Sequence, residues 1–282
     1  MIAVISLVLV VFIQQSQNPS PMVEHTRAHL RLKEEHPAGR REKLETGALF
    51  IPQKSAGKLK PGAEANLIFY FHCGGWIPEI ASSRLNRTLA LSIQLGAGSS
   101  AYARPFRDET LFPRLIAEAE TRSGLKFSTV TLVGWSAGYG AIREILRVPQ
   151  NYSRVDRVLL IDGLHAGYVD GKPGPLESKL ESGDLEIFLD FARDAVAGRK
   201  HLLITHSEIF PGTFASTTET ADWLIDRLGL KRKPVSQFGP MGTQKLSETR
   251  AGRFRVIGFA GNSAPDHVDQ LHSLPDLLSL MK

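Results

Sequence analysis

The sequence predicts an α/β fold, a mostly parallel, doubly wound sheet with helices on both faces. Short continuous apolar runs such as ANLIFYF at 65–71 and RVLLID at 157–162 read as strands buried on both faces. Stretches with apolar residues at helical spacing lie between such runs. Strand, helix and strand in succession require right-handed crossovers, which set the strands parallel and cover the sheet on both sides.

The first element in order is the uncharged run IAVISLVLVVFI at 2–13, followed by QQSQNPSP. It is too short to span a bilayer, which takes about 20 apolar residues. Its length matches the apolar part of a secretory signal, although no Lys or Arg precedes it and no A-x-A cleavage site follows. Residues 1–17 are therefore expected to be a signal peptide or N-terminal anchor of an exported protein, and 18–282 a single domain. A buried strand or helix is the other reading of that run.

Between 23 and 66, VEHTRAHLRL and TGALFIP read as edge strands. ANLIFYF then ends at His72-Cys73-Gly74-Gly75, and LALSIQL at 89–95 is a further strand. Leu111, Phe112, Leu115, Ile116 and Ala119 predict a helix over 108–122, and FSTVTLVG is a buried strand after it. Ala141, Ile142, Ile145 and Leu146 share one helical face until Pro149 stops the pattern.

RVLLID and HLLITH at 201–206 read as parallel strands separated by a Gly/Pro-rich loop, 163–175, and a helix near 184–197. That helix carries Leu185, Phe188, Leu189 and Ala192 on one side. Ser216 and Glu219 form a capping box before TADWLIDRLGL, whose stop is Gly229. A polar segment follows, then the strand RFRVIGFAG and a last helical stretch, PDLLSLM.

Composition excludes some functions. The net charge of +5 comes from 34 basic residues interleaved with 29 acidic ones, which argues against a nucleic-acid partner. The basic runs RAHLRLK, GRREK and LKRK read as solvated faces. Cys73 is the only cysteine, so no internal disulfide can form. No phosphate-binding loop, dinucleotide fingerprint or paired-histidine zinc motif is present, and no cofactor is implied. The oligomeric state is not readable from these residues.

The chemistry concentrates in Gly134-Trp135-Ser136-Ala137-Gly138. A G-x-S-x-G match alone is weak, but here a buried strand enters it and an amphipathic helix leaves it. That context puts Ser136 on a sharp turn above the sheet. Side chains at 134 and 138 would collide with the neighbouring helix and strand. The helix start sets the Ala137 N–H and a positive dipole end where an oxyanion would form.

VTLVGWSAGYGAIREIL, preceded about 60 residues earlier by a strand and HCGGW, resembles the α/β-hydrolase superfamily of serine hydrolases. The resemblance implies a second oxyanion donor in the loop after the third strand, from Gly74, Gly75 or Trp76. The second place of that loop holds Cys73 where family members often have Gly. It also implies the chain order Ser, acid, His, which puts the base at His267. His272 would lie in a helix as a surface or packing residue, and His165 and His206 would break the order.

For the acid the resemblance leaves a choice. Asp162 ends the strand after the serine unit, where pancreatic-lipase-like members carry theirs, and its strand-end position lets a carboxylate reach the upper rim of the sheet. Most members place it after the next strand, where Glu208 stands; Asp266 and Asp170 are further candidates.

The expected activity is cleavage of a carboxylic ester or related acyl substrate through an acyl-enzyme on Ser136, with His267 as base and Asp162 orienting it. A noncatalytic binding protein and an acyltransferase with the same triad are the alternatives. The expected partner is a small-molecule or lipid-like acyl substrate, and membrane contact is expected only through the N-terminal signal or anchor. Insertions at 163–183 and 231–252 are expected to select the substrate. Trp76, Trp135, Tyr139 and Tyr168 either line its pocket or fill the core.

Overall fold

Six apolar runs form the parallel heart of the sheet in the computed structural model, which describes residues 30–171 and 179–281. In chain order the strands are β1 (Gly39–Lys43), β2 (Ala48–Pro52), β3 (Glu64–Phe71), β4 (Thr88–Ile93), β5 (Lys126–Trp135), β6 (Arg157–Ile161), β7 (His201–His206), β8 (Lys233–Phe238), β9 (Gln244–Ala251) and β10 (Phe254–Phe259). Their order across the sheet is β1-β2-β4-β3-β5-β6-β7-β10-β9-β8. Neighbours from β4 to β10 pair in parallel, while β1, β2, β9 and β8 extend the edges antiparallel.

The helices are α1 (Trp76–Ser83), α2 (Ser99–Phe106), α3 (Leu111–Ser123), α4 (Tyr139–Arg147), α5 (Pro149–Arg154), α6 (Glu186–Val196), α7 (Thr217–Arg227), α8 (Ala264–His272) and α9 (Leu274–Ser279). Successive strand residues point to opposite faces, so the sheet feeds two cores. Leu67, Phe69, Leu132, Leu160 and Ile204 pack on one side with α2, α3, α4, α6 and α7. Ile68, Tyr70, Val133, Leu159 and Leu203 pack on the other with α1, α8 and α9. The predicted class is what forms: an α/β, mostly parallel sheet covered by helices on both faces.

Several local expectations change. Pro149 ends α4 but opens α5, because a proline at the first helical position gives up only an N–H that has no partner there. Trp76 is not in the loop after β3; it begins α1. The polar segment 231–252 is not a loop insertion, since most of it is the β8–β9 hairpin that carries the sheet past β10. Within 23–66, TGALFIP supplies β2, whereas VEHTRAHLRL gives no strand over its described residues 30–32. Residues 1–17, the expected signal, lie outside the described residues. Among those described, no helix is long and apolar enough to cross a membrane.

Candidate active site

Three non-glycine residues adopt left-handed backbone at the carboxyl ends of adjacent strands: His72 after β3 (φ 71°), Ser136 after β5 (φ 49°) and Asp162 after β6 (φ 41°). Such residues cost about 1–3 kcal/mol each and persist where the surroundings fix them. At Ser136 the surroundings are visible. A side chain at 138 would come within 2.5 Å of the Phe71 carbonyl oxygen, and one at 134 within 3.0 Å of Tyr139 N on α4. Only glycine at both places lets the strand reverse so sharply into the helix. Gly163 lies equally close to the serine: a Cβ there would meet Ser136 N at 2.5 Å.

The structure brings two sequence-selected residues into direct contact. His267 Nδ1 lies 2.7 Å from Asp162 Oδ2, across 105 residues of chain. The other oxygen, Asp162 Oδ1, accepts from Ser207 N (2.8 Å) and Thr217 Oγ1 (2.6 Å). Burial by itself would raise the Asp162 pKa; the bonds and charge from His267, with those from Thr217 and Ser207, outweigh it and hold the carboxyl below its ordinary range. Asp162 is therefore a buried carboxylate held ionised by three donors, one of them an imidazole.

His267 stands in the first turn of α8, whose N-terminus is fixed by a capping box between Ser263 and Asp266. One turn later Gln270 Oε1 accepts from Thr205 Oγ1 at 2.6 Å, tying α8 to β7. Trp135 completes the setting. Its indole stacks on the rings of His72 and His267, with centroids at 5.1 and 4.7 Å, and its Nε1–H donates to the His267 carbonyl oxygen at 3.2 Å. His72 Nδ1 is in turn 2.8 Å from the Tyr102 hydroxyl.

Ser136 is half-buried and directly follows Trp135 in the chain; its Oγ makes no hydrogen bond, to His267 or to any other group, among the described residues. Ala137 follows in the 3₁₀ turn that leads into α4. Across from it, the amides of Cys73, Gly74 and Gly75 have no acceptor among the described residues. Trp76, by contrast, packs into the second core and against His272, with ring centroids 5.6 Å apart.

The competing acids are placed elsewhere. Glu208 Oε2 accepts weakly from Gly261 N at 3.4 Å, Asp266 belongs to the α8 cap, and Asp170 sits exposed in a 3₁₀ turn. His272 is a buried packing residue rather than a surface one. His206 is buried between Arg232 and Thr218, and His165 Nδ1 is 2.9 Å from the Ala215 carbonyl oxygen. Tyr139 and Tyr168 are core, the latter with its hydroxyl on Glu219. No group of three or more His, Cys, Asp or Glu side chains that could hold a metal occurs among the described residues.

Ser207, Thr217 and the stacking of the indole were not singled out by the sequence reading. Thr217 lies 55 residues from Asp162, and the only local signal near it, the capping box at 216–219, concerns the helix start alone.

No protein-family model matches the chain, and no curated protein sequence matches it either. Among solved structures it is similar to esterase PE8, at 13% identity and TM-score 0.45, over 84% of this chain and 99% of that one. It is similar to Thermogutta terrifontis esterase 2 phosphonylated by cyclosarin at 15% and 0.47, over 86% and 93%. A third similar structure is the Pyrococcus horikoshii acylaminoacyl peptidase, at 14% and 0.48; the match covers 89% of this chain but 41% of that one.

Proposed function

We propose that this protein is a serine hydrolase that cleaves a carboxylic ester or related acyl bond. The observation that carries the proposal is the 2.7 Å pairing of His267 with an ionised, buried Asp162 beside a strained strand-to-helix turn bearing Ser136. A serine hydroxyl is a weak nucleophile until a base takes its proton, and the base needs a carboxylate to fix its tautomer and support its charge. With Nδ1 of His267 engaged by Asp162, Nε2 is the nitrogen left to serve Ser136. His267 takes the proton as Ser136 attacks the acyl carbon, then delivers it to the leaving alcohol; water repeats the sequence to free the acid.

The oxyanion is assigned to the Ala137 N–H and to the amide of Gly74 or Gly75 in the loop before α1. Phe210 and Phe214 are exposed on the segment after β7, and Phe214 packs edge-on against His165 at 4.9 Å. An apolar rim of this kind favours a lipid-like or aromatic acyl group.

A fluorophosphonate probe tests the assignment. The native protein is expected to label at Ser136, and both Ser136→Ala and His267→Ala to lose labelling while remaining folded. A folded native protein that does not label is a binding module. Label with product appearing only on an added alcohol acceptor indicates acyl transfer. The proposal extends to location: residues 1–17 direct export, and 18–282 form the exported domain. N-terminal sequencing of protein recovered outside the cytoplasm checks this.

A further inference from the structure

The edge of the sheet opposite Ser136 and Asp162 carries a cleft of about 420 Å³ where β6, β7 and β10 begin and β9 ends. Five guanidiniums line it, from Arg157, Arg199, Arg250, Arg253 and Arg255, against one carboxylate, Asp156. Two of the five are neutralised locally: Arg199 by Asp194 and Arg255 by Glu248 at 2.8 Å. Asp156 is engaged by Val130 N at 2.8 Å and, more loosely, by Arg154. Arg157, Arg250 and Arg253 have no carboxylate, carbonyl or aromatic partner among the described residues.

That lack is unusual in this molecule. Fourteen of the twenty described arginines make an ion pair, a hydrogen bond to a carbonyl or a stack on an aromatic ring. The exceptions are Arg84, Arg104, Arg107, Arg157, Arg250 and Arg253. Three of these six line the cleft, and a fourth, Arg84, lines an adjoining cleft of about 390 Å³ that meets the first at Thr129, Arg157 and Met281. His201, at the floor, registers the convergence: burial first, then the fields of Arg157, Arg253 and Arg250, pull its imidazole down to about 4, so it adds no charge at neutral pH.

Like charges gathered without counter-charges repel, and guanidiniums cannot relieve this by losing a proton. A concave surface also focuses their field and raises the local concentration of anions. Planar guanidiniums bind phosphate oxygens through paired N–H donors, which suits several arginines to a chain of phosphates. The adjoining cleft carries fewer charges and offers Asn86, Thr88, Leu85 and Leu278 as a place for an uncharged portion.

We propose that this cleft binds a small polyanion of the di- or triphosphate class, held by Arg157, Arg250 and Arg253, at a site separate from the candidate active site. Two sources share that chemistry, a free polyphosphate and a nucleoside polyphosphate.

Isothermal titration calorimetry at low salt tests it, with tripolyphosphate and adenosine triphosphate as probes and no added divalent cation. Saturable binding at one site per chain is expected for at least one probe, weakening as salt screens the charges. The double variant Arg157→Gln/Arg253→Gln should weaken it at least tenfold. A second double variant, Arg104→Gln/Arg107→Gln, removes the same charge from exposed, unpartnered arginines of α2 and its end, and should leave binding unchanged. Tighter binding of the nucleotide would identify the nucleoside form, and tighter binding of tripolyphosphate the free form. Absence of saturable binding by both probes overturns the proposal, as does equal weakening in the two double variants. Unchanged thermal midpoints verify that the variants are folded.

Discussion

Asp162 concentrates the residue-scale argument, because it is buried, ionised and bonded to the imidazole the proposed chemistry needs. Asp162→Asn keeps the shape but offers an amide to Nδ1, favouring the wrong tautomer of His267. It is expected to lower kcat/KM by about two to four orders of magnitude, whereas Glu208→Gln stays near native. Steady-state ester hydrolysis distinguishes them, and the reverse result would move the acid to Glu208. Ser136 and Asp162 could be singled out because each follows the end of a strand, and His267 because an α/β-hydrolase resemblance implies the order serine, acid, histidine; the choice between Asp162 and Glu208 stayed open in the sequence. Ser207 and Thr217 could not be singled out, because a hydrogen bond spanning 45 or 55 residues leaves no local pattern. A second residue-scale prediction concerns His206. Its Nε2 lies 2.6 Å from the Arg232 guanidinium, which can only donate, so protonation breaks that bond. Burial, then Arg232, depress its pKa to about 4. The unfolded chain, with an ordinary histidine near 6.5, takes up the proton first, so stability falls as pH drops from about 6.5 to 4. The loss at this residue is on the order of 3 kcal/mol. Urea denaturation across that range should show a shallower decline in His206→Gln than in the native protein; equal slopes would assign the loss elsewhere.

At the scale of elements, α7 shows how a helix start serves the site. Ser216 Oγ accepts from Glu219 N at 3.2 Å, and Glu219 Oε2 accepts from Ser216 N at 2.8 Å, fixing the first turn that presents Thr217 to Asp162. Ser216→Ala should lower stability by about 1 kcal/mol, read from the urea midpoint at constant m-value. A neutral result would mean that Glu219, which also holds the Tyr168 hydroxyl at 2.9 Å, fixes the turn alone. This box was visible in sequence because its signal is local. The parallel strands were visible too, since both their faces are apolar. The β8–β9 hairpin was not. In β9 the buried positions alternate with period two, but all three are polar: Lys245, Ser247 and Thr249. They are buried because partners come to them, with Lys245 on Glu248, Ser247 receiving Arg232 and Thr249 donating to the Lys231 carbonyl. A hydrophobic pattern cannot report an alternation built from satisfied polar groups. β8 is exposed over most of its length, as befits an edge strand carrying Lys233 and Pro234 against further pairing. Helices α1 and α2, eight residues each, escaped notice because a Pro lies inside each and so short a stretch barely establishes a period.

Across the whole molecule, the two cores cannot be separated without dismantling the strands they share. Leu159 faces one core and Leu160 the other, and both belong to β6, the strand that ends at Asp162. Loss of either core unpairs the same sheet, so we expect the sheet and the helices on both its faces to unfold as one cooperative unit. The tryptophans allow a direct measurement. Trp223 packs against the first core, Trp76 and Trp135 against the second. Single-tryptophan variants that retain Trp223 or Trp76, with the others replaced by Phe, should give the same denaturation midpoint. Leu160→Ala and Leu159→Ala leave cavities on opposite faces, each costing about 2–5 kcal/mol. Each should shift both fluorescence transitions together, whichever face holds the probe. If Leu159→Ala moved the Trp76 transition and left the Trp223 transition in place, the layers would fold independently. The His267–Asp162 pair would then be assembled at a boundary, because His267 rides on α8 in the second layer while Thr217, which holds Asp162, rides on α7 in the first.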